Sequence, residues 1–193
     1  MKTGFKALSI ALLACGLASP AMADWKMSSD DSVLHFLSTK NAQITEVHKF
    51  ENFSGALSDS GKLNVSVDLT SVNTNIDIRN ERMRSMLFLV EKYATAQFEA
   101  MLPESMLALN VGDVKYAKVD GVLSLHSKAV PTAFSVQVSK VSENTLSVST
   151  TAPTLIKADA FGLAEGVAAL QNIAGLKSIT TTVPVTFSVT FKN

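Results

Sequence analysis

The stretch that decides the reading runs from Asn64 to Ala100, NVSVDLTSVNTNIDIRNERMRSMLFLVEKYATAQFEA. It opens in strict alternation: Leu63, Val65, Val67 and Leu69 are apolar, while Asn64, Ser66 and Asp68 are polar. A strand sends successive side chains to opposite faces, so this segment predicts a strand with one buried and one wet side. The period then changes. Asn73, Asn75 and Asp77 offer caps, and Met83, Met86, Leu87 and Val90 fall at helical spacing, with Arg79, Arg82 and Arg84 on the same short helix. After Tyr93 alternation returns, placing Ala96, Phe98, Ala100 and Leu102 on one side against Thr95, Gln97 and Glu99 on the other. Strand, arginine-rich helix, strand is the reading.

Upstream, Trp25 to Leu37 forms a strand with apolar residues on both faces, and Asn41 to Gly55 reads as one long bent strand. Asp59-Ser60-Gly61 is a turn that makes a hairpin with the strand at Leu63. Downstream, Pro103 to Gly112 is mixed and reads as a connection with a short helical turn or an edge strand. Strands follow around Val119 to Leu125, Phe134 to Val138 and Leu146 to Thr150, with Lys128 to Pro131 separating the first two. A second helix is predicted from Leu163 to Leu176, on the stripe Leu163, Val167, Leu170, Ile173 and Ala174, stopping at Gly175. The last strand alternates from Val183 to Phe191, and Pro184 marks an edge or a ladder-free position. Many short alternating strands predict an antiparallel barrel or sandwich; periodicity by itself does not choose between them.

The chain starts with Lys2 and Lys6, an apolar run from Ala7 to Ala14, and Ser19-Pro20-Ala21-Met22-Ala23. That is the layout of a secretory signal cleaved after Ala23, and the run is too short to span a bilayer. The expected organisation is a signal peptide over 1–23 and one domain over 24–193, delivered to a bacterial periplasm or secreted. Leu12-Leu13-Ala14-Cys15 also forms a loose lipobox, a competing reading in which Cys15 is lipidated. Cleavage after Ala23 removes Cys15, the only cysteine, so the expected mature domain has no thiol chemistry and rests on its core. It keeps 15 basic residues, the 17 of the whole chain less Lys2 and Lys6, against 17 acidic ones. That balance argues against nucleic acid or an anionic membrane surface as partner, and no membrane-spanning segment is expected after cleavage.

Chemistry is thin. His35, His48 and His126 show no metal-ligand spacing, and no metal site is expected. There is no Gly-x-Ser-x-Gly, and pairs such as Glu46 with His48 arise readily by chance, so no catalytic residues are assigned. The stronger feature is phenylalanine: nine remain after the signal, spread over most of the predicted elements. An eight-stranded barrel is either filled by such side chains or holds one small ligand among them.

Ser71-Val72-Asn73-Thr74, Arg79-Asn80, Met83-Arg84-Ser85, Phe88, Val90, Lys92-Tyr93 and Phe98 resemble the YceI-like family. So do Trp25, Ser32, Phe36 and Phe50-x-x-Phe53-x-Gly55 before them, and Gly121-Val122-Leu123-Ser124-Leu125-His126 and Phe161-Gly162 after them. The chain departs from that family at Ala94, where a proline is frequent, and at Ser127-Lys128-Ala129 after the histidine.

The resemblance implies an all-β, lipocalin-like antiparallel barrel of about eight strands with two short helices. It also implies a secreted protein that encloses a long-chain amphiphilic lipid, of polyisoprenoid or isoprenoid-quinone type, for storage or transport. No cofactor other than that lipid is expected, and the same resemblance suggests a homodimer. The expected tail-lining residues are Phe50, Phe53, Val67, Leu69 and Phe88, with Phe98, Leu123, Phe134, Phe161 and Leu170. Arg79 and Arg84 are the expected head-group contacts, because guanidinium pairs phosphate oxygens bidentately. The competing readings are a ligand-free envelope interaction or stress module and a metal-assisted hydrolase.

Overall fold

A computed structural model describes residues 25–193. The expected signal peptide over 1–23, its cleavage at Ala23 and the lipidation of Cys15 all lie outside the described residues.

Eleven strand segments form one antiparallel sheet that closes on itself: β1 (Trp25–Lys40), β2 (Ile44–Phe50), β3 (Phe53–Leu57), β4 (Lys62–Asp68), β5 (Val72–Asn73), β6 (Thr95–Met101), β7 (Val114–Leu125), β8 (Lys128–Ser142), β9 (Thr145–Thr150), β10 (Thr154–Lys157) and β11 (Thr182–Lys192). Eight of them make the ring, in the order β11, β9, β8, β7, β6, β4, β3, β1, and the β1–β11 pairing shuts it. Around the ring the eight follow chain order, with β2, β5 and β10 stepping out of it. This is an up-and-down antiparallel barrel whose longest connections, β4 to β6 and β9 to β11, carry the helices of one mouth. The barrel expected from the resemblance is the fold observed.

The three remaining segments extend strands of the ring past a bend. β2 continues β3 along β1, β5 continues β4 along β2, and β10 continues β9 along β11. The single strand expected over Asn41 to Gly55 is thus broken at Glu51 and Asn52. The cause is a corner shared with its neighbour, where Leu69–Ser71 forms a 3-10 turn. There Ser71 Oγ accepts from Asn52 N at 3.0 Å and donates to Asp68 O at 2.6 Å, while Asp68 N donates to Asn52 O at 2.9 Å. Both strands turn at the same height because each supplies the other's missing backbone partners.

Lys128 to Pro131, expected as a connection, are the first residues of β8. They pair with β7 through the register Leu125 with Lys128 out to Val114 with Ser139. Counted outward from the two-residue turn His126-Ser127, Pro131 falls where its missing N–H would point away from β7. On that other side β9 pairs only from Val136 onward, so no bond is lost. Pro184 sits one place beyond the end of the β1–β11 ladder, which stops at Val185, and on its other side it is paired with Leu155 of β10.

The helices cover the ends. α1 (Asp77–Arg82) runs into a π-helical turn, Met83–Phe88, and α3 (Ala164–Ile173) lies beside it over one mouth. The helical run ends at Phe88, short of Val90, because Leu89 turns left-handed with φ 50°. α3 is shorter than the Leu163–Leu176 stripe and is followed by Gly175 at φ 62°. α2 (Glu104–Leu107) is a single turn that tucks Met106 into the opposite end. Buried apolar residues group around Phe53, Phe98, Phe134 and Phe191 in the barrel, around Phe36, Leu69, Met83 and Phe88 near the α1 mouth, and around Phe161, Leu163 and Val167 under α3.

Candidate functional site

Alternation within each strand sends one set of side chains inward, and these sequences make that set almost wholly apolar. What they enclose is not filled. An elongated cavity of about 280 Å³ runs between the α1–α3 mouth and α2. At about 30 Å³ per water in the liquid it has room for on the order of ten water-sized groups. A methylene is close to a water in size, so the space suits a hydrocarbon chain. Side chains known only for apolar contact make up nearly all its wall.

Eight of the ten expected tail-lining residues face this cavity. Phe50, Phe53, Val67 and Leu69 come from the β2–β5 corner, Phe88 from the π turn, and Phe98, Leu123 and Phe134 from β6, β7 and β8. Phe161 and Leu170 do not line it. Phe161, 2 % exposed, is sealed beneath α3 among Ala158, Leu163 and Val167, and Leu170 packs with the Phe36–Phe88 group from outside. The helical stripe of α3 instead turns Leu163 and Val167 to the cavity. Phe36, Phe187 and Phe191, among the nine phenylalanines but outside the expected set, line it too, as do Leu57, Val136 and Val138. Their inward parity was visible; which of two alternating faces was inward, and which inward residues met space, was not.

Aromatic rings form two ladders along the wall. Near the mouth, Phe36 meets Phe50 at 5.2 Å and Phe50 meets Phe88 at 5.9 Å. Deeper, Phe98 stands edge-on to Phe134 at 5.0 Å, and Phe134 meets Phe187 at 5.5 Å. Gly121 makes the deeper ladder possible. A Cβ there would lie 2.5 Å from Phe98 Cζ, so the missing side chain is where the ring sits.

Above the first ladder lies a polar layer. Arg79 donates from Nη1 to Glu46 Oε2 at 2.9 Å and from Nη2 to Thr74 O at 2.7 Å, and Lys40 reaches the same Glu46 oxygen at 2.8 Å. Both cations hold the Glu46 carboxyl below its usual range, the Lys40 contact most strongly. Asn80 Oδ1 accepts from the N and Oγ1 of Thr74, locking α1 to the β5 end. His48, 4 % exposed, pairs Nε2 with Ser38 Oγ at 2.8 Å and packs on Phe36. Burial, helped by the Arg79 charge, lowers its pKa from 6.5 to about 4, so it is neutral near pH 7. Arg79 thus already has anionic and carbonyl partners. Among the described residues Arg84, near the mouth, makes only a long 3.4 Å contact to Thr70 O. Among the described residues no group of three or more His, Cys, Asp or Glu is placed to hold a metal ion.

The YceI-like domain model matches residues 25–191, nearly all of the described chain. The chain belongs to the YceI-like family. Among solved structures, this YceI-like chain is similar to a polyisoprenoid-binding domain from Saccharophagus degradans implicated in plant cell wall breakdown. The two are 34% identical with a TM-score of 0.84, over 89% of this chain and 98% of that one. It shares its fold with Burkholderia cenocepacia BcnA, at 18% identity and TM-score 0.66 over 85% of this chain and 98% of that one. A Campylobacter jejuni YceI protein has 16% identity and TM-score 0.58, over 80% and 90% of the two chains. No curated protein sequence matches the chain significantly. The YceI-like domain has no helix among its described residues long and apolar enough to cross a membrane.

Proposed function

We propose that this YceI-like protein is a non-catalytic carrier or store for a long-chain amphiphile of polyisoprenoid or isoprenoid-quinone type. In this reading it acts in the periplasm or outside the cell after losing residues 1–23. The apolar tail lies along the barrel beside Phe50, Phe98, Leu123 and Phe134, and the polar end stays at the α1–α3 mouth. The observation that carries the reading is the apolar cavity. At about 24 cal/mol per Å³, an apolar space of 280 Å³ left empty costs at most on the order of 7 kcal/mol. That is comparable with the whole stability of an ordinary domain, about 5–15 kcal/mol. A ligand removes the cost: at about 0.8 kcal/mol per methylene, the roughly ten carbons that fit return about 8 kcal/mol more, set against association costs of about 4–15 kcal/mol.

The Saccharophagus degradans domain, described as polyisoprenoid-binding, supports the same ligand class. Gentle solvent extraction of the purified protein, with mass spectrometry of the extract, tests it. A co-purifying long-chain amphiphile, or stoichiometric uptake of one by delipidated protein, is the expected result. A protein that yields none and takes up none is not a carrier.

A further inference from the structure

Resting on the carrier reading, the geometry points to one portal: we propose that the tail enters and leaves through the seam between the π turn Met83–Phe88 and α3, where Gly166 lies against Leu87.

The two ends of the barrel are closed differently. At the α2 end, Leu102 N donates to Gly61 O at 2.8 Å, Lys115 Nζ reaches Ser105 O, and the Lys140 ammonium sits 4.3 Å over the Trp25 ring. That end is stitched to β7, β8 and the β3–β4 turn by directional contacts.

The mouth end is closed by two helices that touch along a bare seam. A Cβ on Gly166 would come within 2.9 Å of both Leu87 Cα and Met86 O, so the helices meet backbone to backbone. Among the described residues no hydrogen bond or ion pair joins residues 83–90 to residues 163–174; dispersion alone holds the closure. Directly beneath it Leu87, Phe88, Leu163 and Val167 face the cavity, so parting the seam opens a path lined by apolar side chains.

The two sides of the seam differ in how firmly they are held. α1 is fastened by Arg79 to Glu46 and Thr74, and by Asn80 to Thr74. α3 lies between Gly162 and Gly175, with φ of 69° and 62°. Among the described residues its side-chain hydrogen bonds come from Gln171 alone, to Lys177 and Ile179 beyond the Gly175 bend, in a segment that Thr39 and Asn41 hold to β1. Glycine accepts the backbone changes a hinge needs. α3 is therefore the moving side, and the π turn is the fixed sill, its irregular hydrogen bonding setting Leu87 beside Gly166.

The test is a reversible lock. Leu87→Cys and Gly166→Cys are introduced with Cys15→Ser; the backbones are close, and the small separation that a new Cβ forces moves the pair toward disulfide range. Uptake and release of cis-parinaric acid are followed by stopped-flow fluorescence on the oxidised and reduced forms of the same preparation. Oxidation is expected to slow both rates at least about tenfold, with reduction restoring those of the unlocked protein. Gly166→Ala, which wedges the seam and leaves no pair to lock, is expected to speed both rates without changing the ratio between them. Equal rates in the oxidised and reduced forms, or acceleration by Met106→Ala at the α2 end with none by Gly166→Ala, would overturn the portal. Probe binding at equilibrium by the unaltered protein reports on the carrier reading separately.

Discussion

Arg79 and Glu46, 33 positions apart in the chain, form a 2.9 Å ion pair that pins α1 over the mouth of the barrel. The arginine also donates to Thr74 O, and the carboxylate also receives Lys40. Arg79→Ala removes two hydrogen bonds of the α1 fastening and leaves Glu46 with one cation. Both side chains are roughly a quarter to a third exposed, so solvent screens the pair. A loss of about 1–2 kcal/mol in urea unfolding is expected. Arg84→Ala, with one long backbone contact, is expected to change stability by less than about 0.5 kcal/mol.

His48 predicts a pH dependence of known sign. It faces Ser38 and Lys40 of β1, Glu46 of its own strand and Arg79 of α1, and it stays neutral in the fold down to about pH 4. The unfolded chain binds a proton at its His48 below about pH 6.5, so this residue's share of stability falls between 6.5 and 4 and is constant below. A difference of 2.5 units corresponds to a loss of about 3 kcal/mol across that window. Glu46, whose folded pKa is lowered, adds its own loss as pH falls further. Subtracting the unfolding profile of His48→Gln isolates the histidine; an unchanged slope between pH 6.5 and 4 would show that His48 is not buried neutral.

Filling the cavity should separate stability from binding. Val67 faces the open space. Val67→Phe puts a ring into it and is expected to raise the stability of delipidated protein by about 0.5–2 kcal/mol while weakening amphiphile uptake. Phe98→Ala, which removes a member of the Phe98–Phe134–Phe187 ladder, should cost about 3–5 kcal/mol. Chemical unfolding and a lipid-uptake assay on the same samples check both. In a barrel packed solid, both substitutions would destabilise.

The β7–β8 turn carries strain that can be relieved. His126 and Ser127 both have left-handed backbone, φ 52° and 57°, as a two-residue hairpin of this twist requires. His126 is committed to its contact with Tyr93, ring centroids 4.3 Å apart. Ser127 is exposed, and its side chain hydrogen-bonds Tyr93. Relief of the left-handed backbone outweighs that solvent-screened bond, so Ser127→Gly is expected to stabilise the hairpin by about 0.5 kcal/mol, seen as a higher melting temperature with uptake unchanged.

Local patterns carried most of the fold. Leu63 to Val67, Ala96 to Ala100 and Val183 to Phe191 alternate because each strand has one wet face, and all three lie in strands of the ring. Leu69 and Leu102, the last residues of the first two patterns, fall just past the strand ends. The two bends read less well. The break at Glu51 and Asn52 depends on Ser71, 19 positions away from Asn52, so nothing in the local sequence marks it. The role of Lys128 to Pro131 was also hidden, because Pro131 is tolerated only where β9 has not yet begun.

The candidate site divides along the same line. Which residues are apolar and alternate is written in the chain, and with it the greasy interior, since a period of two sorts side chains onto faces without reference to any distant partner. Whether that interior is filled depends on the circumference of the closed ring, on Gly121 leaving its place to the Phe98 ring, and on helices separated in sequence meeting at Leu87 and Gly166. The pairing of Arg79 with Glu46 is of this second kind: it fastens α1 through a partner that the sequence around Arg79 does not mark. Periodicity is a property of neighbours in the chain and survives in the sequence; volume, and the partner a charge finds, exist only once β11 has closed onto β1.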